Sequence, residues 1–70
     1  MKKLYVNDWM RWDMMGYLYF AVYAEGKKEW WILAKCDSIE EAKEAVERES
    51  VEGGDGEYFV IDCEGNRVEG

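Results

Sequence analysis

A length of 70 residues, a net charge of −7 and the absence of histidine bound what this chain can be. A single domain of this size has a small core and little net stability, so a bound partner or a second copy is expected to reinforce it. A hydrophobic fraction of 49% with 16% aromatic residues excludes a disordered chain, and the longest uncharged stretch, Met14 to Ala24, is far shorter than the ~20 residues of a spanning helix.

Lys2 and Lys3 imitate the start of a secretory signal, but Asn7 and Asp8 break the apolar run that would have to follow, so a cytoplasmic domain is expected. In the same segment Tyr5, Trp9 and Trp12 recur at helical spacing, with Met10 adding bulk. Met14 to Ala24 then alternates, with Leu18, Phe20 and Val22 on one side and Tyr17, Tyr19 and Tyr23 on the other. The pattern predicts a strand that ends in a hairpin turn at Glu25-Gly26-Lys27-Lys28. The returning strand, Glu29 to Cys36, places Trp30, Ile32, Ala34 and Cys36 on one face and Trp31, Leu33 and Lys35 on the other.

Ser38 opens a helix. Its hydroxyl is spaced to accept from the Glu41 amide and Glu41 to reach back, the capping-box arrangement that satisfies two orphan donors. Ile39, Ala42, Ala45 and Val46 form a narrow apolar stripe over residues 39–49, with Glu40, Glu44 and Glu47 opposite it. Gly53-Gly54-Asp55-Gly56 interrupts any regular element. Glu57 to Cys63 is the next strand, with Phe59, Ile61 and Cys63 opposite Tyr58, Val60 and Asp62, and Glu64-Gly65-Asn66 turns the chain into a short last strand at Arg67 and Val68.

The expected fold is therefore one α+β domain over residues 1–70. It has a mostly antiparallel sheet of three to five strands with a single helix packed on one face, in β-β-α-β-β order. A right-handed crossover makes the strand at 57–63 parallel to that at 29–36, with an antiparallel meander as the alternative. The helix is expected over the bulky side, Leu18, Phe20, Val22, Ile32, Phe59 and Ile61. Tyr17, Tyr19, Tyr23, Trp31, Leu33, Tyr58 and Val60 are then left for a partner, for a homodimer, or for residues 1–13 folding over them.

Charge is divided unevenly: residues 1–35 carry +2 and residues 36–70 carry −9. The second half repels phosphate backbones and attracts cationic surfaces, which favours a protein partner with a basic surface over direct nucleic-acid binding. Tyr17, Tyr19 and Trp31 on an open sheet have the chemistry to stack unpaired bases, with Lys27, Lys28 and Lys35 for phosphates, but the net charge opposes it.

Motifs for chemistry are sparse, and no enzyme is expected. A serine nucleophile lacks its histidine base, two cysteines make a poor zinc set, and no cofactor or metal is implied. Cys36 and Cys63 read as packed hydrophobes rather than as a disulfide. Asp62, Glu64 and Asn66 read as a turn rather than a calcium loop, and the glycine cluster at 53–56 lacks the lysine and hydroxyl of a phosphate loop.

In size, in the acidic segment from Ser38 to Glu57, and in its lone helix beside an antiparallel-rich sheet, the whole chain resembles the small acidic inhibitors that phages encode against bacterial defence systems, anti-CRISPR proteins among them. It shares no diagnostic motif with them. The resemblance implies a non-enzymatic inhibitor in the host-cell cytoplasm that occupies a basic nucleic-acid-binding site on its target, with Glu40, Glu44 and Glu47, joined by Glu41, Glu52 and Asp55, standing in for phosphates. The alternative is a structural or self-associating module whose contact residues are Tyr17, Tyr19 and Trp31 on the sheet face.

Overall fold

The computed structural model describes residues 4–25, 29–51 and 55–69. The elements follow as α1 (Asp8–Met14), β1 (Tyr19–Ala24), β2 (Trp30–Cys36), α2 (Ile39–Ser50), β3 (Glu57–Asp62) and β4 (Arg67–Glu69). The fold is α+β, and the expected β-β-α-β-β order stands behind an additional short helix. One four-stranded sheet runs in the order β2-β1-β3-β4, with every neighbouring pair antiparallel. β2 and β3 are thus parallel, as the crossover predicts, but β1 lies between them, so β2-α2-β3 is a split β-α-β unit. The residues of the expected turns at 26–28 and 53–54 lie outside the described ones. The Glu25 amide nevertheless donates to the Glu29 carbonyl across the first turn at 3.0 Å.

The two sheet faces are covered the opposite way round from the sequence expectation. α2 lies across β2, β1 and β3 on the face that carries Tyr19, Ala34, Cys36 and Val60, with Ala42 and Val46 packed into that layer. The bulky face, with Phe20, Val22, Trp30, Ile32, Phe59 and Ile61, is covered by Leu4, Val6, Met10 and Met14. Volume explains the choice. The stripe of α2 is built on Ala42 and Ala45, and a helix with so little side chain approaches closely only where the sheet is also small, at Ala21 and Ala34. The large side chains of the other face need long, adaptable ones above them, which two methionines and Leu4 supply. Phe20, Phe59 and Ile61 are fully buried there, each contributing roughly 1.5–3 kcal/mol by leaving water.

A bulge in β2 redistributes the other expected face. The register runs Ala21 to Ala34 and then Val22 to Ile32, leaving Leu33 as the extra residue. Its insertion reverses the alternation. Trp30 and Ile32 point to the Phe20 side, whereas Ala34 and Cys36 point to the α2 side, so these four do not share a face. Leu18, expected in the core, precedes β1 and is 59% exposed. With β1 between their strands Cys36 and Cys63 are separate free thiols, the first buried and the second exposed.

Local chemistry fixes the ends. The Ser38 hydroxyl accepts from the Glu41 amide at 3.2 Å, which is the Ser38 half of the expected capping box. Asn7 does the same for α1, accepting from Met10 at 2.9 Å through its side-chain oxygen. The N-terminal strap is pinned at three further points. The Leu4 amide donates to the Gly65 carbonyl (2.9 Å), the indole N–H of buried Trp30 donates to the Tyr5 carbonyl (3.1 Å), and Lys35 pairs with Asp13 (2.9 Å).

Candidate functional site

The acidic residues named from the sequence are displayed together. Ala42 and Ala45 are the buried residues of α2, whereas Glu40, Glu41, Glu44, Glu47 and Glu49 are exposed along it. The reason is the narrow stripe: a helix that seats on two alanines turns most of its circumference outward. Lys43 and Arg48 lie on the same helix and are also exposed, so the surface is predominantly rather than uniformly negative. Asp55 is exposed beyond the helix, and Glu52 lies outside the described residues.

The aromatic residues named from the sequence are not one open patch. Tyr19 is half-buried beneath α2, and Val60 is fully buried there. Tyr17 precedes β1, and the Lys35 ammonium stands 5.9 Å from its ring. Trp31 is half-exposed and stacks on Tyr23, with centroids 5.7 Å apart, and Tyr23 in turn meets Tyr58 at 4.8 Å. The Tyr23 hydroxyl donates to Glu25 (3.1 Å) and accepts from the Gly56 amide (3.1 Å). The amide bond lowers its pKa, but partial burial and the Glu25 carboxylate raise it and prevail, keeping the phenol neutral. This trio is a cross-strand ladder that ties the start of β3 to the hairpin.

The apolar surface that does stand open lies in the N-terminal segment, which the sequence offered as one of three possible covers for the aromatic face. Trp9 is 85% exposed, Trp12 72% and Tyr5 73%, with Met15 continuing the band. Helical spacing groups Trp9 and Trp12 correctly, whereas Tyr5 precedes α1 and lines a separate recess, and it is Met10 and Met14, on the other side of α1, that turn to the core. Trp9 and Trp12 wall a shallow, almost wholly apolar recess with Asp8 at its rim. No sequence argument singles these residues out as a surface, because either stripe of α1 has the bulk to cover a sheet; the Asn7 cap is the signal that identifies the helix itself.

Asp62 closes the β3–β4 turn. The Asp62 carboxylate accepts from the amides of Glu64 (2.9 Å) and Asn66 (3.0 Å) and from the Asn66 side chain (3.3 Å). Partial burial pushes its pKa up, but these hydrogen bonds outweigh it and hold the carboxyl below the usual range. The oxygens that a cation would need are thus turned inward to the β3–β4 turn. Among the described residues no three His, Cys, Asp or Glu side chains converge as a metal site, and no helix is long and apolar enough to cross a membrane. Burial raises the Cys36 thiol, reinforced by Glu41 and Asp37. Comparison of the chain with protein-family models, with curated proteins and with solved structures gave no match.

Proposed function

We propose that this domain is a non-enzymatic protein-binding module whose partner presents a basic surface. The observation that supports this best is the exposure of Glu40, Glu41, Glu44 and Glu47 along a helix that commits only two alanines fully to its own core. Carboxylates held in a row on a rigid helix steer a cationic partner and fix its register. In its specific form the reading is an inhibitor like those of phages. The α2 glutamates occupy the place of phosphates in a nucleic-acid channel of the target, within the host-cell cytoplasm, without catalysis or cofactor.

The test is a panel of guide-loaded CRISPR effector complexes, with retention of the target duplex measured as the domain is added. Inhibition that disappears in the E40K/E44K/E47K variant, whose far-ultraviolet spectrum stays native, and that weakens steeply with salt supports the reading. Inhibition untouched by the triple charge reversal removes α2 from the mechanism, and no inhibition of any complex removes the anti-CRISPR form. For the self-associating alternative, Tyr19 and Val60 lie under α2, whereas Tyr17 and Trp31 remain exposed to carry a contact.

A further inference from the structure

We infer that the recess formed by Asp8, Trp9 and Trp12 on the outer side of α1 is a docking site for an arginine side chain in a basic segment of a partner protein. The inference deepens the protein-binding reading, on which it rests, by assigning a second contact surface on the opposite side of the sheet from α2.

Four observations carry it. Trp9 and Trp12 are three residues apart in α1, so both indoles lie on one side of the helix and face water. They are surplus to the fold, because the covering of the bulky sheet face is done by Leu4, Val6, Met10 and Met14. Asp8 lies four residues before Trp12 on the same side, and among the described residues nothing pairs with its carboxylate. The other charges of α1 are placed elsewhere: Asp13 is bound to Lys35 at 2.9 Å, and Arg11 lines the neighbouring recesses beside Glu64 and Cys63. The recess therefore combines two indole surfaces with the exposed Asp8 carboxylate at its rim and, among the described residues, no lining cation.

That set of groups selects its occupant. An apolar side chain would use the indoles but leave the Asp8 carboxylate at the rim without a partner. An anion is repelled by Asp8 and by a chain of net charge −7. A guanidinium fits both parts. Its planar face stacks on indole, the best of the aromatic cation acceptors, while its N–H edge takes the carboxylate in a forked hydrogen bond. Lysine, a compact and strongly hydrated charge, uses the indoles less well. The same net charge draws a basic segment towards the domain before contact, so α2 and the recess act on one kind of partner from two sides.

The test uses the intact domain labelled with nitrogen-15 and a hexa-arginine peptide, with hexa-citrulline as the uncharged isostere. The indole N–H signals of Trp9 and Trp12 are expected to shift saturably with hexa-arginine and not with hexa-citrulline. That of Trp30, bound to the Tyr5 carbonyl, should stay in place and certify the fold. W12L and D8N should each weaken the peptide about tenfold, and hexalysine should bind more weakly than hexa-arginine. Equal shifts with citrulline would show an apolar site and overturn the inference. So would shifts that require anionic phospholipid vesicles instead of peptide, which would show a membrane-seeking helix, or shifts that appear on concentrating the domain alone, which would show a second copy in the recess. Peptide binding abolished by E40K/E44K/E47K but indifferent to W12L and D8N would overturn this site and leave the α2 reading standing. The converse pattern would keep the site and overturn α2.

Discussion

Gly65→Ala should detach the N-terminal strap, and the structure supplies its own control. Gly65 has φ +89° and Gly16 has φ +93°, so alanine at either position meets the same left-handed penalty of about 1–2 kcal/mol. The surroundings differ. A β-carbon at Gly16 meets nothing within 4 Å, whereas one at Gly65 would stand 2.5 Å from the Leu4 carbonyl oxygen and 2.9 Å from a Val6 methyl. Relief requires the strap to lift, which breaks the Leu4–Gly65 hydrogen bond, worth about 1 kcal/mol. It also uncovers part of Leu4 and Val6, adding about 2 kcal/mol if half of each side chain's burial is lost. The expected totals are about 4–5 kcal/mol for Gly65→Ala against about 1–2 for Gly16→Ala. At the lower end of the roughly 4–10 kcal/mol expected for a domain of this length, the first variant reaches its unfolding midpoint and the second does not. Thermal unfolding followed by circular dichroism should separate their Tm values by roughly 15 °C. Equal losses in the two variants would show that the strap is not seated on Gly65, and would refute the assignment of the bulky face to residues 4–14.

Other expectations follow from single contacts. Ser38→Ala should cost about 1 kcal/mol in urea unfolding, through loss of the acceptor for the Glu41 amide, and Ser38→Asp should not. Because the folded Asp62 carboxyl is held below its unfolded value, its contribution is complete above the ordinary carboxylate range, about pH 4, and is lost as pH falls through the lower folded value. Asp62→Asn should therefore lower stability at neutral pH and flatten its decline in acid, as read from urea midpoints between pH 2 and pH 7. A thiol reagent should modify exposed Cys63 quickly and buried Cys36 only on the timescale of opening, and prompt labelling of both would contradict the packing beneath α2. Lys35→Ala should change stability only slightly and its effect should vanish in high salt, as for an exposed pair.

The strands, the second helix and their order were legible because each is marked by a local rule: alternation in β1 and β3, the Ser38 cap, and the Glu64-Gly65-Asn66 turn. What was not legible depends on shape. Bulk on one sheet face suggests a helix above it, but the helix offered Ala42 and Ala45 and so fits the smaller face. The single residue Leu33 reversed the sides of the residues beyond it in β2, and nothing in the run Trp30 to Cys36 marks where an extra residue is absorbed. In α1 both stripes are apolar, so periodicity finds the helix without saying which stripe is buried. For the site, exposure of the α2 glutamates follows directly from helical spacing. The recess at Trp9 and Trp12 emerges only once Met10 and Met14 are seen to turn inward.

The bulge has a further consequence for the behaviour of the protein at high concentration. β2 is an outer strand of the sheet, and its sequence Trp30-Trp31-Ile32-Leu33-Ala34 is the kind of uncharged, β-prone segment that recruits copies of itself into fibrils. A flat edge of this composition would be a template for addition. Leu33 breaks the regular spacing of backbone donors and acceptors midway along that edge, and Lys35 places a charge near its end, so an incoming strand finds no continuous ladder to extend. The residue that breaks the alternation of β2 is thus also the one that interrupts the strand as a template.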